Sequence, residues 1–112
     1  MKLTIREYLS ADGRDFFREW LEGLDVPVRA RIQARILRFE IGNLGDHKFV
    51  GGGVWEARFM FGKGYRIYFG KEGRSIIILL LGGDKSSQAG DIRKAQLFWK
   101  EYLEATHHGT TD

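Results

Sequence analysis

Apolar and polar positions alternate from Lys2 to Tyr8, with Leu3 and Ile5 on one side and Lys2, Thr4 and Arg6 on the other. That period predicts a half-buried strand. The period then lengthens. Phe16, Phe17, Trp20, Leu21 and Leu24 fall on one helical arc, with Arg18, Glu19 and Glu22 opposite. Asp12 is the expected cap of this helix and Gly23 its end. Asp25 and Pro27 restart the chain as a second helix, which runs to about Ile41 and closes at Gly42. From Phe49 the period returns to two. Val54 to Phe61 and Tyr65 to Lys71 read as a hairpin around Gly62-Lys63-Gly64. Arg74 to Leu81, apolar at nearly every position, reads as a central strand covered on both faces. A last helix runs roughly from Gln88 to Leu103, with Ile92, Ala95, Trp99, Tyr102 and Leu103 on one face. The order strand, two helices, three strands, helix predicts an α+β fold, a mostly antiparallel sheet packed with helices. Residues 1–105 form one domain, and 106–112 (THHGTTD) read as a flexible tail.

Two patterns inside these elements carry possible chemistry. Pairing Phe61 with Tyr65 points Trp55, Ala57, Phe59, Phe61, Tyr65, Ile67 and Phe69 to one face, the core. The other face then holds Glu56, Arg58, Met60, Arg66 and Tyr68, with Arg58 opposite Tyr68. This is either a solvated face of cross-strand charge pairs or an anion site, since arginine forks bind phosphate bidentately. In the second helix, Val28, Ile32, Ile36 and Phe39 make one apolar stripe, and Ala30, Ala34, Leu37 and Ile41 a second, nearly opposed. Arg31, Arg35 and Arg38 lie between them, expected at the surface. The first helix is the nearest cover for the second stripe, which gives an N-terminal helical hairpin.

Composition narrows the classes. The chain has 112 residues, 43% apolar and 29% charged, which is ordinary for one globular domain. It lacks cysteine, which excludes disulfides and thiolate chemistry and fits a reducing, cytoplasmic setting. No apolar run is long enough to cross a bilayer, and MKLTIREYLS carries charges where a signal peptide needs an apolar stretch. The net charge of +3 and pI near 9.3 favour an acidic or polyanionic partner. Histidines and carboxylates do not cluster at ligand spacing, so neither a metal nor another cofactor is expected. Gly82-Gly83-Asp84-Lys85-Ser86-Ser87 follows the buried strand, without the spacing of a Walker motif. Those glycines either admit a ligand close to the backbone or only turn the chain.

Four motifs in order resemble the phage-derived addiction-module killer proteins, within the RelE/HigB-like toxins of type II toxin–antitoxin pairs. They are Gly42-Asn43-Leu44-Gly45-Asp46, Gly51-Gly52-Gly53, Gly64-Tyr65-Arg66-Ile67-Tyr68 and Gly82-Gly83-Asp84-Lys85-Ser86. Asp91-Ile92-Arg93-Lys94-Ala95 extends the likeness, which covers about residues 25–103. The resemblance implies a small RelE-like fold, mRNA cleavage on the ribosome with growth arrest, and neutralisation by a cognate antitoxin, usually a helix-turn-helix protein. Operator DNA is reached only through that antitoxin, and no membrane is involved. It also implies that Arg66, Arg58 and Lys85 are site residues. Glu56 and Asp91 depart from the pattern, standing where some relatives carry lysine and tyrosine.

Metal-free RNA cleavage needs a base for the ribose 2′-hydroxyl, cations for the phosphorane and an acid for the 5′-oxygen. Arg58 and Arg66 suit the charge, Glu56 the base, and Lys85 or Tyr68 the acid or a further clamp. Lys48 and His47, with Arg31, Arg35 and Arg38, are the candidate RNA-backbone contacts. A catalytically weak or inactive module that binds antitoxin or nucleic acid is the alternative, and a plain nucleic-acid-binding domain a third reading.

Overall fold

A computed structural model of the chain describes residues 1–108. Five strands and three helices follow in the order β1 (Thr4–Glu7), α1 (Phe16–Glu22), α2 (Val26–Glu40), β2 (His47–Gly51), β3 (Val54–Arg58), β4 (Arg66–Glu72), β5 (Ile76–Gly83) and α3 (Gln88–His108). The strands form one sheet in the order β1-β5-β4-β3-β2. β1 runs parallel to β5, and every other pairing is antiparallel. The α+β class and mostly antiparallel sheet match the periodicity. β2 is an addition: its exposed Lys48 and Phe49 and its bulge before Gly51 blur the two-residue period.

Capping explains the helix starts. The Asp15 carboxylate, not Asp12, accepts the Arg18 amide at 2.9 Å, because a cap must sit just ahead of the first turn. Asp12 instead bonds Ser10 in the preceding loop. Pro27 stands in the first turn of α2, where its missing N–H costs nothing. At the other end α3 runs on past Leu103 to His108, and the Thr106 hydroxyl donates to the Tyr102 carbonyl at 3.0 Å. So 106–108, expected in the tail, belong to the helix; the remainder lies outside the described residues.

The sheet is covered on both faces. Phe17 and Leu21 of α1 and Ile32 and Phe39 of α2 pack with Ala57, Phe59, Ile67, Phe69, Ile77 and Leu79. Ala95, Phe98 and Trp99 of α3 pack on the other face with Val54, Tyr68, Ile78 and Leu80. β5 thus shows the double-sided burial its composition predicts. α1 packs chiefly on β5. It does not cover the second stripe of α2: Ala30 and Ala34 are exposed, and Leu37 and Ile41 keep 62% and 64% of their surface.

Candidate functional site

The β3–β4 hairpin decides which side chains meet. Its closing hydrogen bond runs from the Phe59 amide to the Tyr65 carbonyl at 2.9 Å, and residues 60–64 form the loop. The register is therefore two residues from the expected one. Ala57 pairs with Ile67, Glu56 with Tyr68 and Arg58 with Arg66. A shift of two keeps every side chain on its predicted face, since strand faces alternate with period two. It does change the neighbours: Arg58 lies opposite Arg66, not Tyr68.

The supposed polar face is mostly a second core. Glu56 and Tyr68 are fully buried under α3. Glu56 Oε2 accepts from Gln88 Nε2 at 2.9 Å and lies 3.5 Å from Arg66 Nε, while Oε1 has no partner. The Tyr68 hydroxyl also lacks a hydrogen-bond partner. Burial first, and then the charge of Glu56, push its pKa well above the usual phenol range. Neither group is an open base. Arg66, only 11% exposed, donates from Nη1 to the Gly64 carbonyl at 2.7 Å, so carboxylate and loop together fix its guanidinium.

Arg58, Arg66 and Lys85 line one cleft of about 360 Å³, walled by residues of the Met60–Gly64 loop. Arg58 reaches the site from the end of β3, where Nη2 pairs with Asp46 Oδ1 at 3.3 Å and both side chains stay exposed. Lys85 opens a short 3₁₀ turn, Lys85–Ser87, after β5. Asp84 starts that turn by accepting from the Ser86 amide and hydroxyl at 2.8 and 2.5 Å, which lowers its own pKa. The Lys85 amide donates to the Lys63 carbonyl at 3.3 Å, bringing the turn against the hairpin loop.

Gly82 and Gly83 serve the protein rather than a ligand. A Cβ on Gly82 would lie 2.0 Å from the Trp20 ring, and one on Gly83 1.9 Å from Asp91 Oδ2. Asp91 in turn accepts from the Ser87 hydroxyl at 2.5 Å.

The remaining candidates separate. Arg31 and Arg38 are exposed and line an adjoining cleft that includes Arg58. Arg35 corrects the surface expectation: it is buried, with donors spent on the carbonyls of Leu44, Asp46 and Arg58 at 3.1, 2.8 and 2.6 Å. His47 and Lys48 sit on β2 and line neither cleft. The His47 ring lies 5.5 Å from that of Trp55, on the core face, with Nδ1 2.8 Å from the Gly45 carbonyl. Lys48 pairs with Glu56 in register but is exposed. Gln88, which donates to the Glu56 carboxylate beside Arg66, and Asp46, which pairs with Arg58, are not among the candidates that residue type singles out, because an amide at a helix start and a loop carboxylate carry no local signal of such a role. Among the described residues no three His, Asp or Glu side chains gather as a metal site, and no helix is long and apolar enough to cross a membrane.

No protein-family model matches the chain. A Haemophilus influenzae protein described as an uncharacterized protein is 44% identical over 86 residues, covering 76% of this chain and 87% of that one.

Proposed function

We propose that this chain, which belongs to the same family as the Haemophilus influenzae protein, is the toxin of a type II toxin–antitoxin pair: a cytoplasmic, metal-independent endoribonuclease that cuts mRNA on the ribosome. The RelE-like identity of the fold is part of that reading. So is neutralisation by a helix-turn-helix antitoxin. The observation that carries it is the convergence of Arg58, Arg66 and Lys85, from three separate segments, on one cleft sized for a phosphodiester and its sugar. The four motifs add the family resemblance.

In the reaction so read, the ribose 2′-oxygen attacks phosphorus and the bond to the 5′-oxygen breaks, leaving a cyclic phosphate and a free hydroxyl. Arg58 and Arg66 donate to the phosphorane oxygens as charge develops. Lys85 gives a proton to the leaving 5′-oxygen, and the 2′-hydroxyl proton passes to solvent. Glu56 positions Arg66 and takes no proton from substrate, because it is sealed from the cleft.

That burial also favours the second reading, a module that binds RNA or antitoxin without cutting. Induced expression separates the two. Growth arrest with transcripts ending in cyclic phosphates is expected, and Arg58→Ala should lower the cleavage rate about a hundredfold. Normal growth at verified soluble expression, with intact transcripts, would leave the binding module.

A further inference from the structure

The cleft at Arg58, Arg66 and Lys85 does not end at the hairpin loop. On the other side of Met60 and Phe61 lies a second cleft, of about 390 Å³, with Arg31 and Arg38 of α2 on its far wall. The two share Arg58, Phe59, Met60 and Phe61 as their common boundary. Arg35 is also in the second cleft, but its donors are taken by carbonyls. The acid in that lining is Asp46, already paired with Arg58. Arg31 holds its guanidinium over the Phe61 ring, 4.7 Å from its centre. Met60, between the clefts, is 88% exposed. Among the described residues it is the most exposed of the large apolar side chains, and it stands between two cationic clefts.

We propose that these clefts form one groove for single-stranded RNA, in which one phosphate sits at Arg58, Arg66 and Lys85, the strand crosses Met60, and a neighbouring phosphate is held by Arg31 and Arg38. The inference rests on the endoribonuclease reading and adds the strand's path. Cations on both sides track a phosphate backbone, and the apolar ridge between them offers a surface to a base. A duplex keeps its base faces stacked inward and cannot present one to Met60. An acidic peptide would use the charges but leave the ridge idle.

The test is fluorescence-anisotropy binding of 2′-O-methyl oligouridines, from dinucleotide to octanucleotide, which cannot be cut. Affinity should rise in a step once the strand is long enough to span the ridge. Arg31→Ala with Arg38→Ala should remove that step, weakening the octanucleotide roughly tenfold and flattening its salt slope by about 0.7, the share of one phosphate contact on a single strand. The dinucleotide should be unaffected, and the fold unchanged, because both side chains are exposed. Met60→Ser should weaken the octanucleotide several-fold with no change of salt slope. A duplex of equal charge should bind less tightly than the single strand. Length-independent binding that ignores Arg31 and Arg38 overturns the groove while leaving the cutting cleft in place. So does an oligoglutamate peptide of matched charge that binds as tightly and ignores Met60. Absence of binding at every length overturns the groove, while growth and transcript ends on induced expression decide the endoribonuclease reading separately.

Discussion

Arg35 carries the sharpest prediction, because sequence and structure give it different work. Its guanidinium reaches three backbone carbonyls, two in the loop before β2 and one at the end of β3. It therefore ties the start of the sheet's outer hairpin to α2, and it fixes the backbone that carries Arg58. Its cationic carbon also lies 4.7 Å from the centre of the Phe59 ring. Hydrogen bonds from a charged donor contribute about 1.5–3 kcal/mol each where water cannot replace them. Asp46 is exposed and Leu44 half-buried, so water recovers part of this and about 1 kcal/mol for each carbonyl is the better figure. The ring contact adds about 0.5–1 kcal/mol. Arg35→Ala should thus cost about 3–4 kcal/mol, a large share of the roughly 5–15 kcal/mol that holds a domain together. For a chain of this size that lowers Tm by about 15 °C. Arg35→Lys should recover only about a third, since an ammonium cannot span three acceptors set for a planar fork. The exposed neighbour Arg31→Ala, which loses only a like contact with the Phe61 ring, should cost no more than about 1 kcal/mol. Thermal unfolding followed by circular dichroism reads all three. If Arg35→Ala melts within about 2 °C of Arg31→Ala, the latch is not a latch and the carbonyls are satisfied by water.

Three further outcomes follow from the same packing. Glu56→Gln should cost about 2–3 kcal/mol, because Arg66 keeps its charge in a nearly buried position without a counter-ion; the double variant Glu56→Gln/Arg66→Gln should cost less than the sum, and additivity within about 0.5 kcal/mol in urea unfolding would deny the coupling. Burial, and after it the hydrogen bond with Glu7, push Asp15 up to about 6, so its proton stabilises the fold and that contribution is lost as pH rises from the ordinary carboxylate range through 6. Arg18 holds Glu7 low against burial and opposes this only under more acid conditions. Asp15→Asn keeps the cap, so the parent should gain about 1 kcal/mol over the variant between pH 7 and 5, a figure reduced for the solvent around this partly exposed pair; a pH-independent difference in urea midpoints would refute it. Gly82→Ala and Gly70→Ala drive a Cβ to within 2.0 and 2.2 Å of the Trp20 and Trp99 rings and should each cost about 2–3 kcal/mol, while Gly23→Ala, whose nearest neighbour is 3.5 Å away, should be close to neutral by the same melt.

Periodicity carried the fold a long way. The strand and helix types of seven elements, the sorting of Trp55 to Phe69 onto the core face and the apolar face of α3 all follow from spacing alone. The hairpin register did not, because Gly62-Lys63-Gly64 looks like the whole turn, whereas the backbone opens already at Met60. A slip of two residues leaves the faces intact and changes only the pairs. Burial of the second face escaped for a different reason. Glu56, Arg58, Arg66 and Tyr68 are polar by type, and nothing local says that α3 closes over two of them while leaving a third at the rim. Arg35 escaped in the same way: three arginines on one helix look alike until the carbonyls of a loop and a strand end reach one of them.

Arg58 and Arg66 are equal in the sequence and unequal in the fold, and the inequality bears on how a phosphodiester would be handled. Arg58 stands in water with a weak, exposed counter-ion at 3.3 Å, so a phosphate displaces Asp46 at little cost. It is suited to capture. Arg66 is held by a buried carboxylate at 3.5 Å and by its own loop carbonyl. The carboxylate offsets most of its field, so it adds little to the attraction of a ground-state phosphate. Its donors nevertheless stay fixed at the cleft wall and would need no reorganisation as charge built on the phosphorane of the proposed reaction. Interactions that strengthen only in the transition state raise turnover, whereas those present throughout raise affinity alone. The buried Glu56 therefore looks wasteful as a charge and useful as a splint: it trades ground-state binding at Arg66 for rigidity at the point where the proposed cleavage would need it.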